Sequence, residues 1–419
     1  MDPLRLPRGT VDLTGDDLAR LRAVEAAAHR IFSNCGYGEI RTPVFEETRL
    51  FSRAIGEATD VVEKEMFTIP RDGESYSLRP EGTASVVRYY LENRLDAAAP
   101  FQKLYYVGPM FRYERPQAGR QRQFTQVGVE AIGAADPRLD AEVILLLDRF
   151  FRALGIDGHE MRLNTIGGAE ERAEVRGTLL AALEPRRQDL CANCRRRMDR
   201  NVFRVLDCKN EACRAIAAEL PLLPDIVGED SRSRYEAVKG ILTDLGVPFS
   251  EDPYLVRGLD YYTHTVFEAV HPSLGAQDSI CGGGRYDGLV SQFGGPETRA
   301  TGFAVGVERV LLVLEALGVD VIPERGGLDA YVVAVKPECR PDAFHLMTAL
   351  RDSGLAADTD YEGRGMKAQM KKAARANSRF ALILGPGEVE RGTVTVRDLA
   401  TSEQEERPLI GLAEYLAQA

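Results

Sequence analysis

Residues 111–130 read FRYERPQAGRQRQFTQVGVE, and this stretch predicts two strands joined by a loop. In its second half, Gln126, Gly128 and Glu130 alternate with two valines, so they share one face of a strand. Polar side chains on a core-facing side of a strand cost free energy unless they meet a polar ligand. The pattern therefore indicates either a ligand site on this face or an ordinary solvated face, and it leaves both open.

The hairpin belongs to a longer series of predicted strands, at residues 75–79, 103–108, 124–132 and 264–270. Helical periodicity predicts amphipathic helices over residues 16–34 and 140–154. A short strand over residues 39–44 contains Pro43, which has no N–H to donate, so it should lie at a sheet edge or meet a boundary. This order predicts an antiparallel α+β sheet, because a doubly wound sheet would need strict alternation of strands and helices.

The composition and the predicted secondary structure of the chain change twice after the hairpin. Residues 168–245 are rich in arginine and alanine, follow a helical pattern and hold four of the seven cysteines, which predicts an inserted helical subdomain. Residues 319–327 contain proline and paired glycines and are typical of a linker. Beyond them strands and helices alternate again, which predicts a small α/β domain. We expect one domain over residues 1–325 and a second over 326–419.

Composition places the chain among ordinary globular proteins. Its 419 residues are 44% apolar and 28% charged. The net charge of −11 argues against a general nucleic-acid binder, although basic residues cluster within 111–124 and 364–379. Neither a leader nor an apolar run of about 18 residues is recognisable, so a cytosolic location with reduced cysteines is expected.

Three more stretches carry residues suited to chemistry. Arg79 to Thr83 combines an arginine, a carboxylate and a hydroxyl, which can hold a zwitterion, although a helix start explains it equally well. Three consecutive glycines within Gly282–Gly288 allow a close approach to the backbone, but no Walker loop follows. In Gly302–Leu312, an arginine follows a strand of small residues, and if buried it needs a phosphate or carboxylate partner.

In order along the chain, five stretches resemble the motifs of class II aminoacyl-tRNA synthetases and, in particular, of the histidyl-tRNA synthetase family. Three resemble the class motifs 1, 2 and 3: Gly36–Glu46, Phe111–Phe124 and Gly302–Arg309. Two resemble signatures peculiar to the histidine enzymes: Arg257–Tyr262 and Gly282–Gly288. The resemblance covers nearly the whole chain. It implies a catalytic domain on an antiparallel sheet with a helical insertion, a C-terminal α/β anticodon-binding domain, and a homodimer.

The resemblance also implies an activity and its residues. ATP and Mg²⁺ would activate L-histidine to histidyl-adenylate, and the histidyl group would pass to the 3′-terminal ribose of tRNA(His). Three catalytic arginines would bind the ATP phosphates, namely Arg112 and Arg257 at the α-phosphate and Arg309 at the γ-phosphate. Seven residues would bind histidine: Glu81, Thr83 and Gln126 at the amino group, Glu130 and Tyr262 at the imidazole, and Tyr261 and Tyr286 beside them.

Two further groups are implied to contact tRNA. The loop of the hairpin would approach the acceptor stem with Arg115, Gln117, Arg120 and Arg122. In the C-terminal domain, Lys367, Lys371 and Arg375 follow one another at intervals of four, so they share one face of a helix and suit a track of phosphates. A solvated helix face is the alternative for this second group.

Four cysteines stand in a spacing typical of zinc sites. Two residues separate Cys191 from Cys194, and four separate Cys208 from Cys213. The pattern predicts a structural zinc ion in the inserted subdomain. Four reduced thiols, some of them buried, are the alternative.

Two other functions fit parts of the pattern. A synthetase-like regulatory subunit of ATP phosphoribosyltransferase would bind without catalysis, but such paralogues typically lack the C-terminal domain and degrade the histidine signatures. Both features are present in this chain. A class II synthetase for proline, threonine or glycine is a further alternative, and the Arg257–Tyr262 stretch argues against it.

Overall fold

The computed structural model describes residues 3–57, 59–275, 278–322 and 327–418, which group into two compact units. The first unit spans Met1–Ile322 and the second Pro323–Ala419. The domain boundary expected between residues 325 and 326 falls on residues 323–326, which lie outside the described residues. No helix in the described parts of the chain is both long and apolar enough to cross a membrane.

The first unit contains eleven strands and twelve α-helices among its described residues. The strands are β1 (Gly38–Glu39), β2 (Phe45–Glu47), β3 (Thr68–Arg71), β4 (Glu74–Leu78), β5 (Gln102–Phe111), β6 (Gln123–Ile132), β7 (Glu160–Thr165), β8 (Phe249–Glu251), β9 (Thr263–Val270), β10 (Ser279–Arg285) and β11 (Ala300–Gly306). The helices are α1 (Gly15–Asn34), α2 (Thr48–Ile55), α3 (Thr83–Glu92), α4 (Leu95–Ala98), α5 (Pro137–Ala153), α6 (Arg172–Leu183), α7 (Ala192–Arg200), α8 (Glu211–Ala217), α9 (Leu223–Ile226), α10 (Glu229–Asp244), α11 (Leu289–Gln292) and α12 (Val307–Leu317).

One eight-stranded sheet organises this unit, in the order β1-β5-β6-β11-β10-β9-β7-β8. The six central strands pair antiparallel, and only the outermost pairs, β1 with β5 and β7 with β8, are parallel. The antiparallel α+β fold predicted from the sequence is therefore confirmed. The opening hairpin forms the second and third strands of this sheet, and β5 and β6 pair along ten residues from Gln102 opposite Ile132 to Phe111 opposite Gln123.

Alternation along the central strands separates two hydrophobic cores. Val127 and Val129 of β6 pack on one side with Phe32 of α1 and Phe150 of α5. The other side of the sheet holds Tyr106 of β5 with the apolar faces of α2, α3 and the inserted helices. Because side chains of successive strand residues point to opposite faces, the polar positions of β6 must face this second side.

The strand predicted over residues 39–44 is shorter than expected. Only Gly38 and Glu39 pair, in parallel with β5, so the predicted edge position is confirmed and the predicted length is wrong. Arg79 holds the residues that follow: its Nη1 donates to the carbonyl oxygen of Thr42 at 2.8 Å, and its Nε donates to that of Pro109 at 2.9 Å. The buried Arg79 guanidinium thus provides hydrogen bonds where a longer strand would have paired with its neighbour.

The segment 168–245 is helical, as its pattern predicted. Helices α6 to α10 alternate there with two short 3₁₀ helices, Glu184–Asp189 and Val202–Val205. Leu179, Met198 and Phe203 of this segment are buried in the same hydrophobic cluster as Tyr106 of the sheet. Helices α6, α7 and α8 therefore pack on the site-bearing side of the sheet, whereas Tyr235, Val238 and Leu242 of α10 belong to the core on the other side.

The second unit is an α/β domain with its own core. Its strands are β12 (Ala330–Ala334), β13 (Ala357–Thr359), β14 (Phe380–Leu384), β15 (Thr393–Asp398) and β16 (Gln404–Pro408), in the sheet order β13-β12-β14-β15-β16. Its helices are α13 (Arg340–Asp352), α14 (Met366–Arg375), α15 (Pro386–Arg391) and α16 (Leu412–Gln418). The sequence pattern missed β16 and α15. The short, highly charged β16 pairs only with β15, at the edge of the sheet.

Candidate active site

A buried carboxyl group lies at the centre of the site-bearing face. Thr83 Oγ1 donates a hydrogen bond of 2.6 Å to Glu130 Oε1, and the Tyr286 hydroxyl donates one of 2.5 Å to Oε2. Glu130 is only 1% exposed, and burial raises its pKa to about 8. The position opposite it on β11 is Gly302, where a Cβ would collide with the carboxyl group. The alternative of a solvated face is therefore wrong.

Tyrosine rings close around this carboxyl group. The ring centroids of Tyr261 and Tyr262 lie 4.7 Å apart, and those of Tyr261 and Tyr286 lie 5.8 Å apart. Burial raises the pKa of Tyr262 to about 12, and the neighbouring Glu130 carboxyl acts in the same direction. These hydroxyls therefore stay protonated near neutral pH and can donate hydrogen bonds.

An ion pair anchors the end of β10, directly before Tyr286. Arg285 Nη2 lies 2.8 Å from Asp140 Oδ2 of helix α5, and both residues are buried. Breaking such a pair on one side costs about 3–5 kcal/mol, because a charge is left buried without its partner. In the Gly282–Gly288 stretch, Arg285 therefore stabilises the end of the strand, and the next residue, Tyr286, contacts Glu130.

The residues expected at an amino group lie beside Glu130. Glu81 accepts hydrogen bonds from the backbone N–H groups of Thr83 (2.6 Å) and Ala84 (3.0 Å), so it caps the start of α3. Burial raises the pKa of this carboxyl group. Gln126 is 7% exposed, and its Oε1 has no hydrogen-bond partner among the described residues. A buried oxygen of this kind is costly until it meets a donor, which suits an ammonium ligand.

Small residues form a trough across the central strands. The strand registers place Tyr106, Gly128, Ala304, Gly282 and Glu268 side by side in one row across five strands. Residues directly opposite each other share a face of the sheet. Three small side chains thus lie between an aromatic ring at one end and a carboxylate at the other. The two glycines of this row let the Tyr106 ring and the Arg257 guanidinium lie directly on the backbone of the sheet.

Arg257 closes one end of the trough. Its Nη1 lies 2.9 Å from Glu268 Oε1, and its guanidinium covers Gly282 so closely that a Cβ there would collide with it. Burial alone would lower the pKa of Arg257, but the charge of Glu268 and the nearby Tyr262 outweigh it and raise the pKa. The arginine is therefore charged and held in one position by a carboxylate.

The other two predicted arginines flank the same strands. Arg112 follows β5, donates from Nε to the carbonyl oxygen of Pro80 at 2.8 Å, and lies over the Phe124 ring at 5.5 Å. Arg309 lies in the first turn of α12, and its Nε donates to the carbonyl oxygen of Ser279 at the start of β10. Burial, with the like charge of Arg120 next in size, lowers the pKa of Arg309. Both positions favour an anionic ligand.

The hairpin loop carries the four residues expected to meet the acceptor stem. Arg115, Gln117 and Arg120 are exposed, and Arg122 is half-buried with its guanidinium 3.7 Å from the centre of the Tyr113 ring. Arg120 also forms an ion pair of 3.2 Å with Glu114. The loop therefore presents cations at the surface next to the trough.

Helix α14 of the second unit carries the other basic group. Lys367, Lys371 and Arg375 are all exposed, whereas Gln369 and Ala373 of the same helix are buried. The three cations therefore share the outward face, as the spacing of four predicted.

The four cysteines of the insertion also meet. The Sγ atoms of Cys191, Cys194, Cys208 and Cys213 all lie within 4.8 Å of one another. Residues separated by up to 22 positions in sequence thus form one cluster, and their thiols are free.

Sequence reasoning missed two residues of the trough, Tyr106 and Glu268. Tyr106 stands opposite Gly128 in the β5–β6 hairpin, so working out the hairpin register would have placed an aromatic ring over that glycine. Glu268 is the only acidic residue of β9, in a strand that is otherwise almost entirely buried. An isolated acid in such a strand is a signal for a buried partner.

Comparisons with known proteins agree with this architecture. The family model "Histidyl-tRNA synthetase" matches residues 9–310, and the model "Anticodon binding domain" matches residues 329–419. The chain is 46% identical over 419 residues to the histidine–tRNA ligase of Geobacillus sp. (strain WCH70), covering 99% of each chain. It is also 46% identical over 413 residues to the ligase of Pelotomaculum thermopropionicum, covering 98% of this chain and 97% of that one.

A solved structure matches over the same length. The crystal structure of apo S. aureus histidyl-tRNA synthetase shares 37% sequence identity with this chain at a TM-score of 0.83, covering 99% of this chain and 100% of that one. The matches extend through the second unit. The chain therefore belongs to the histidyl-tRNA synthetase family.

Proposed function

We propose that this protein activates L-histidine with ATP and transfers the histidyl group to the 3′-terminal ribose of tRNA(His). The observation that carries the proposal is the buried Glu130, bonded by Thr83 and Tyr286, beside a trough that ends at Arg257. Such a face provides polar partners for a small heterocycle at one place and a fixed cation for a phosphate at another. The relatives that match this chain over nearly their full length are named as histidine–tRNA ligases.

Histidine is proposed to bind with its imidazole toward Glu130 and Tyr262. The carboxyl group and the phenol hydroxyl can each form a hydrogen bond with one imidazole nitrogen. Both groups can donate or accept, as the imidazole tautomer requires. Glu81, Thr83 and Gln126 are proposed to hold the amino group, with Tyr261 and Tyr286 forming the wall. A site built on buried polar partners rejects analogues that lack them by about 10⁴–10⁵.

The first reaction step places charge where the arginines lie. A carboxylate oxygen of histidine attacks the α-phosphorus of ATP, a P–O bond forms, and the bond to pyrophosphate breaks. Arg112 and Arg257 are proposed to stabilise the charge at the α-phosphate, and Arg309 the γ-phosphate. Preorganised cations can supply this stabilisation without a protein nucleophile. Glu268 is proposed as a positioning residue, since its carboxylate pairs with Arg257 at 2.9 Å and orients it.

Mg²⁺ is proposed to enter with ATP. In nucleotide sites this ion is held mostly by substrate phosphates and by one or two carboxylates. The donor set fits this arrangement: Glu114 and Glu268 lie beside the arginines, and each still has oxygen lone pairs beyond those that its arginine occupies. Bound Mg²⁺ would neutralise charge on the leaving pyrophosphate.

In the second step, a hydroxyl of the terminal ribose attacks the carbonyl carbon of the adenylate and AMP leaves. Arg115, Gln117, Arg120 and Arg122 are proposed to guide the acceptor end, because they lie on the largely exposed loop that joins β5 to β6. Lys367, Lys371 and Arg375 are proposed to contact tRNA phosphates elsewhere. Phosphate contacts of this kind position the nucleic acid without reading its sequence.

A homodimer is proposed from the resemblance of Gly36–Glu46 to motif 1. Val44 and Phe45, at the end of this stretch, are 42% and 54% exposed, so apolar surface is available for a second copy. Sedimentation or light scattering at low micromolar concentration would give the mass, and a monomer would contradict the proposal. A cytosolic location is proposed from the activity alone, since charged tRNA serves protein synthesis.

Exchange of pyrophosphate into ATP tests the activity directly. We expect exchange that depends on histidine and does not occur with proline, threonine or glycine. Exchange with another amino acid would identify a different synthetase. A protein that binds histidine but shows no exchange would instead support a regulatory subunit of ATP phosphoribosyltransferase.

A further inference from the structure

The four-cysteine cluster has the dimensions of a zinc site. Zinc bound to four thiolates is tetrahedral with Zn–S distances of about 2.3 Å, which separates neighbouring sulfurs by about 3.8 Å. The Sγ atoms of Cys191 and Cys208 lie 4.0 Å apart, and all four Sγ atoms lie within 4.8 Å of one another. Four thiols therefore already surround a common centre at nearly the required distances.

The surroundings of the sulfurs suit thiolates. Cys194, Cys208 and Cys213 are buried, and Cys191 is half-buried. The backbone N–H of Cys191 donates to Cys213 Sγ at 3.2 Å, and that of Cys194 donates to Cys191 Sγ at 3.5 Å. Backbone donors to metal-bound sulfur orient the ligands and stabilise their negative charge.

The charges of the same segment also favour a zinc site. Between positions 191 and 213 the chain carries six arginines and lysines against three aspartates and glutamates. A zinc ion with four thiolates has a net charge of −2, so the excess of cations around it compensates the site. Four neutral thiols would need no such compensation.

The cluster is also placed to brace a part of the active site. Asn201 lies between Cys194 and Cys208 in the sequence, and its Nδ2 donates a hydrogen bond to Asp260 Oδ1 at 2.6 Å. Asp260 lies in the same stretch as Arg257 and Tyr262, and its backbone N–H donates to the carbonyl oxygen of Ile55. A metal ion that fixes both ends of the 194–208 segment would therefore hold this stretch through one side-chain contact.

We propose that Cys191, Cys194, Cys208 and Cys213 bind one structural zinc ion, which stabilises the insertion and positions the Arg257–Tyr262 stretch through Asn201. Zn²⁺ is the ion of choice because four soft sulfur ligands in a closed tetrahedral site favour it over hard cations such as Mg²⁺. The second half of this proposal rests on the proposed function, whereas the first half does not.

Metal analysis of the full-length protein tests the site. The protein is produced in zinc-supplemented medium and purified with a non-chelating reductant, and about one zinc per chain is expected. Cys208→Ser and Cys213→Ser should each lose most of the bound zinc. Cys339→Ser is the matched control, because Cys339 is a buried cysteine of the second unit, and it should retain the full amount.

A cobalt experiment keeps the proposal testable if the serine variants do not fold. Protein stripped of metal and refilled with Co²⁺ should show the visible absorption of tetrahedral cobalt bound to thiolates. Thermal unfolding of the stripped protein should shift to lower temperature and be restored by Zn²⁺ but not by Mg²⁺.

Protein without zinc and without the cobalt absorption would overturn the zinc site, as would four cysteines found joined in disulfides. Neither result bears on histidine-dependent exchange, so failure of the site and failure of the proposed activity are distinguishable. The positioning role requires that Asn201→Ala slow adenylate formation while zinc content stays at one per chain. An unchanged rate would overturn that role.

Discussion

At the scale of single residues, Glu130 shows how one side chain serves both the fold and a site. Two hydroxyl groups bond its oxygens, and the glycine opposite leaves it room. Its environment is dry enough that the neutral acid persists up to a pH of about 8. The carboxyl group can therefore offer a proton or accept one near neutral pH, as a residue that reads an imidazole must.

The first prediction concerns the pH dependence of stability. Both states of the protein carry a neutral Glu130 below the unfolded pKa of about 4.3. As pH rises from there to about 8, the unfolded chain ionises this group while the folded protein keeps it protonated, so its contribution to the free energy of unfolding is progressively lost. Glu130→Gln should remove this loss, which chemical denaturation at a series of pH values would measure.

Glu297→Gln is the control for this measurement, because the Glu297 side chain is 69% exposed. Its stability should follow the pH profile of the unmodified protein. If the Glu130→Gln profile also stayed parallel to that of the unmodified protein, the raised pKa of Glu130 would be refuted.

The second prediction concerns Arg257. Arg257→Lys keeps the charge but loses the planar fork that pairs with Glu268, so we expect adenylate formation in single turnover to slow about 10²–10³-fold with the fold intact. Arg152→Lys is the control, because Arg152 is a half-exposed arginine on α5. An unchanged single-turnover rate for Arg257→Lys would remove Arg257 from the proposed mechanism.

At the scale of elements, the trough depends on small residues in three adjacent strands. Gly282, Ala304 and Gly128 stand side by side, and neighbouring positions carry Gly284 and Gly302. Glycine inside a strand normally weakens it, since it packs no side chain. Here the loss is offset by a surface on which large side chains and a ligand can lie close to the backbone.

The third prediction follows from this row. A Cβ at position 282 would occupy the place of the Arg257 guanidinium, so Gly282→Ala should displace Arg257 and slow adenylate formation about 10²-fold. Stability should change little, because the displaced group is the end of a flexible side chain. Gly288→Ala is the matched control, since a Cβ there meets nothing within 4 Å. Equal rates for the two variants would contradict the close approach of Arg257.

The fourth prediction concerns helix α14. Replacing Lys367 and Lys371 together by alanine should weaken tRNA binding and reduce the slope of log affinity against log salt by about 0.7–0.9 for each lost contact. Histidine-dependent exchange should be unchanged, because both residues lie in the second unit. Lys372→Ala is the control, since Lys372 is paired with Glu362 at 3.4 Å. An unaltered salt slope in the double variant would favour the solvated-face alternative.

At the scale of the whole molecule, the two units have separate cores. The hydrophobic clusters of the first unit draw only on residues up to 321, and those of the second only on residues from 328 onward, within the described parts of the chain. A cooperative core is what makes a domain fold independently. Each unit is therefore equipped to fold without the other.

The fifth prediction uses this independence. A fragment of residues 1–322 should fold and keep histidine-dependent exchange, because the trough, the arginines and the buried Glu130 all lie within it. Charging of tRNA should fall, because α14 is absent. A folded fragment without exchange would show that the second unit takes part in activation.

Local patterns in the amino-acid sequence were enough to predict the order of the motifs, the antiparallel hairpin, the basic face of α14 and the grouping of four cysteines by their spacing. These features are local, since they depend on periods of two or four residues or on short intervals along the chain. The length of the strand predicted over residues 39–44 was wrong because its cause is not local. Arg79, which lies 35 or more residues away in sequence, hydrogen-bonds this backbone where strand-to-strand hydrogen bonds were expected.

Only the tertiary structure decided which residues meet on the sheet. Tyr106 and Glu268 reach the same row through four strand pairings, and Arg257 reaches Gly282 across a loop. The alternation of the hairpin left open whether Glu130 is solvated, and the structure buries it under Thr83 of α3 and Tyr286, which follows β10. Strand order and register are set by packing between distant segments, and no local pattern contains that information.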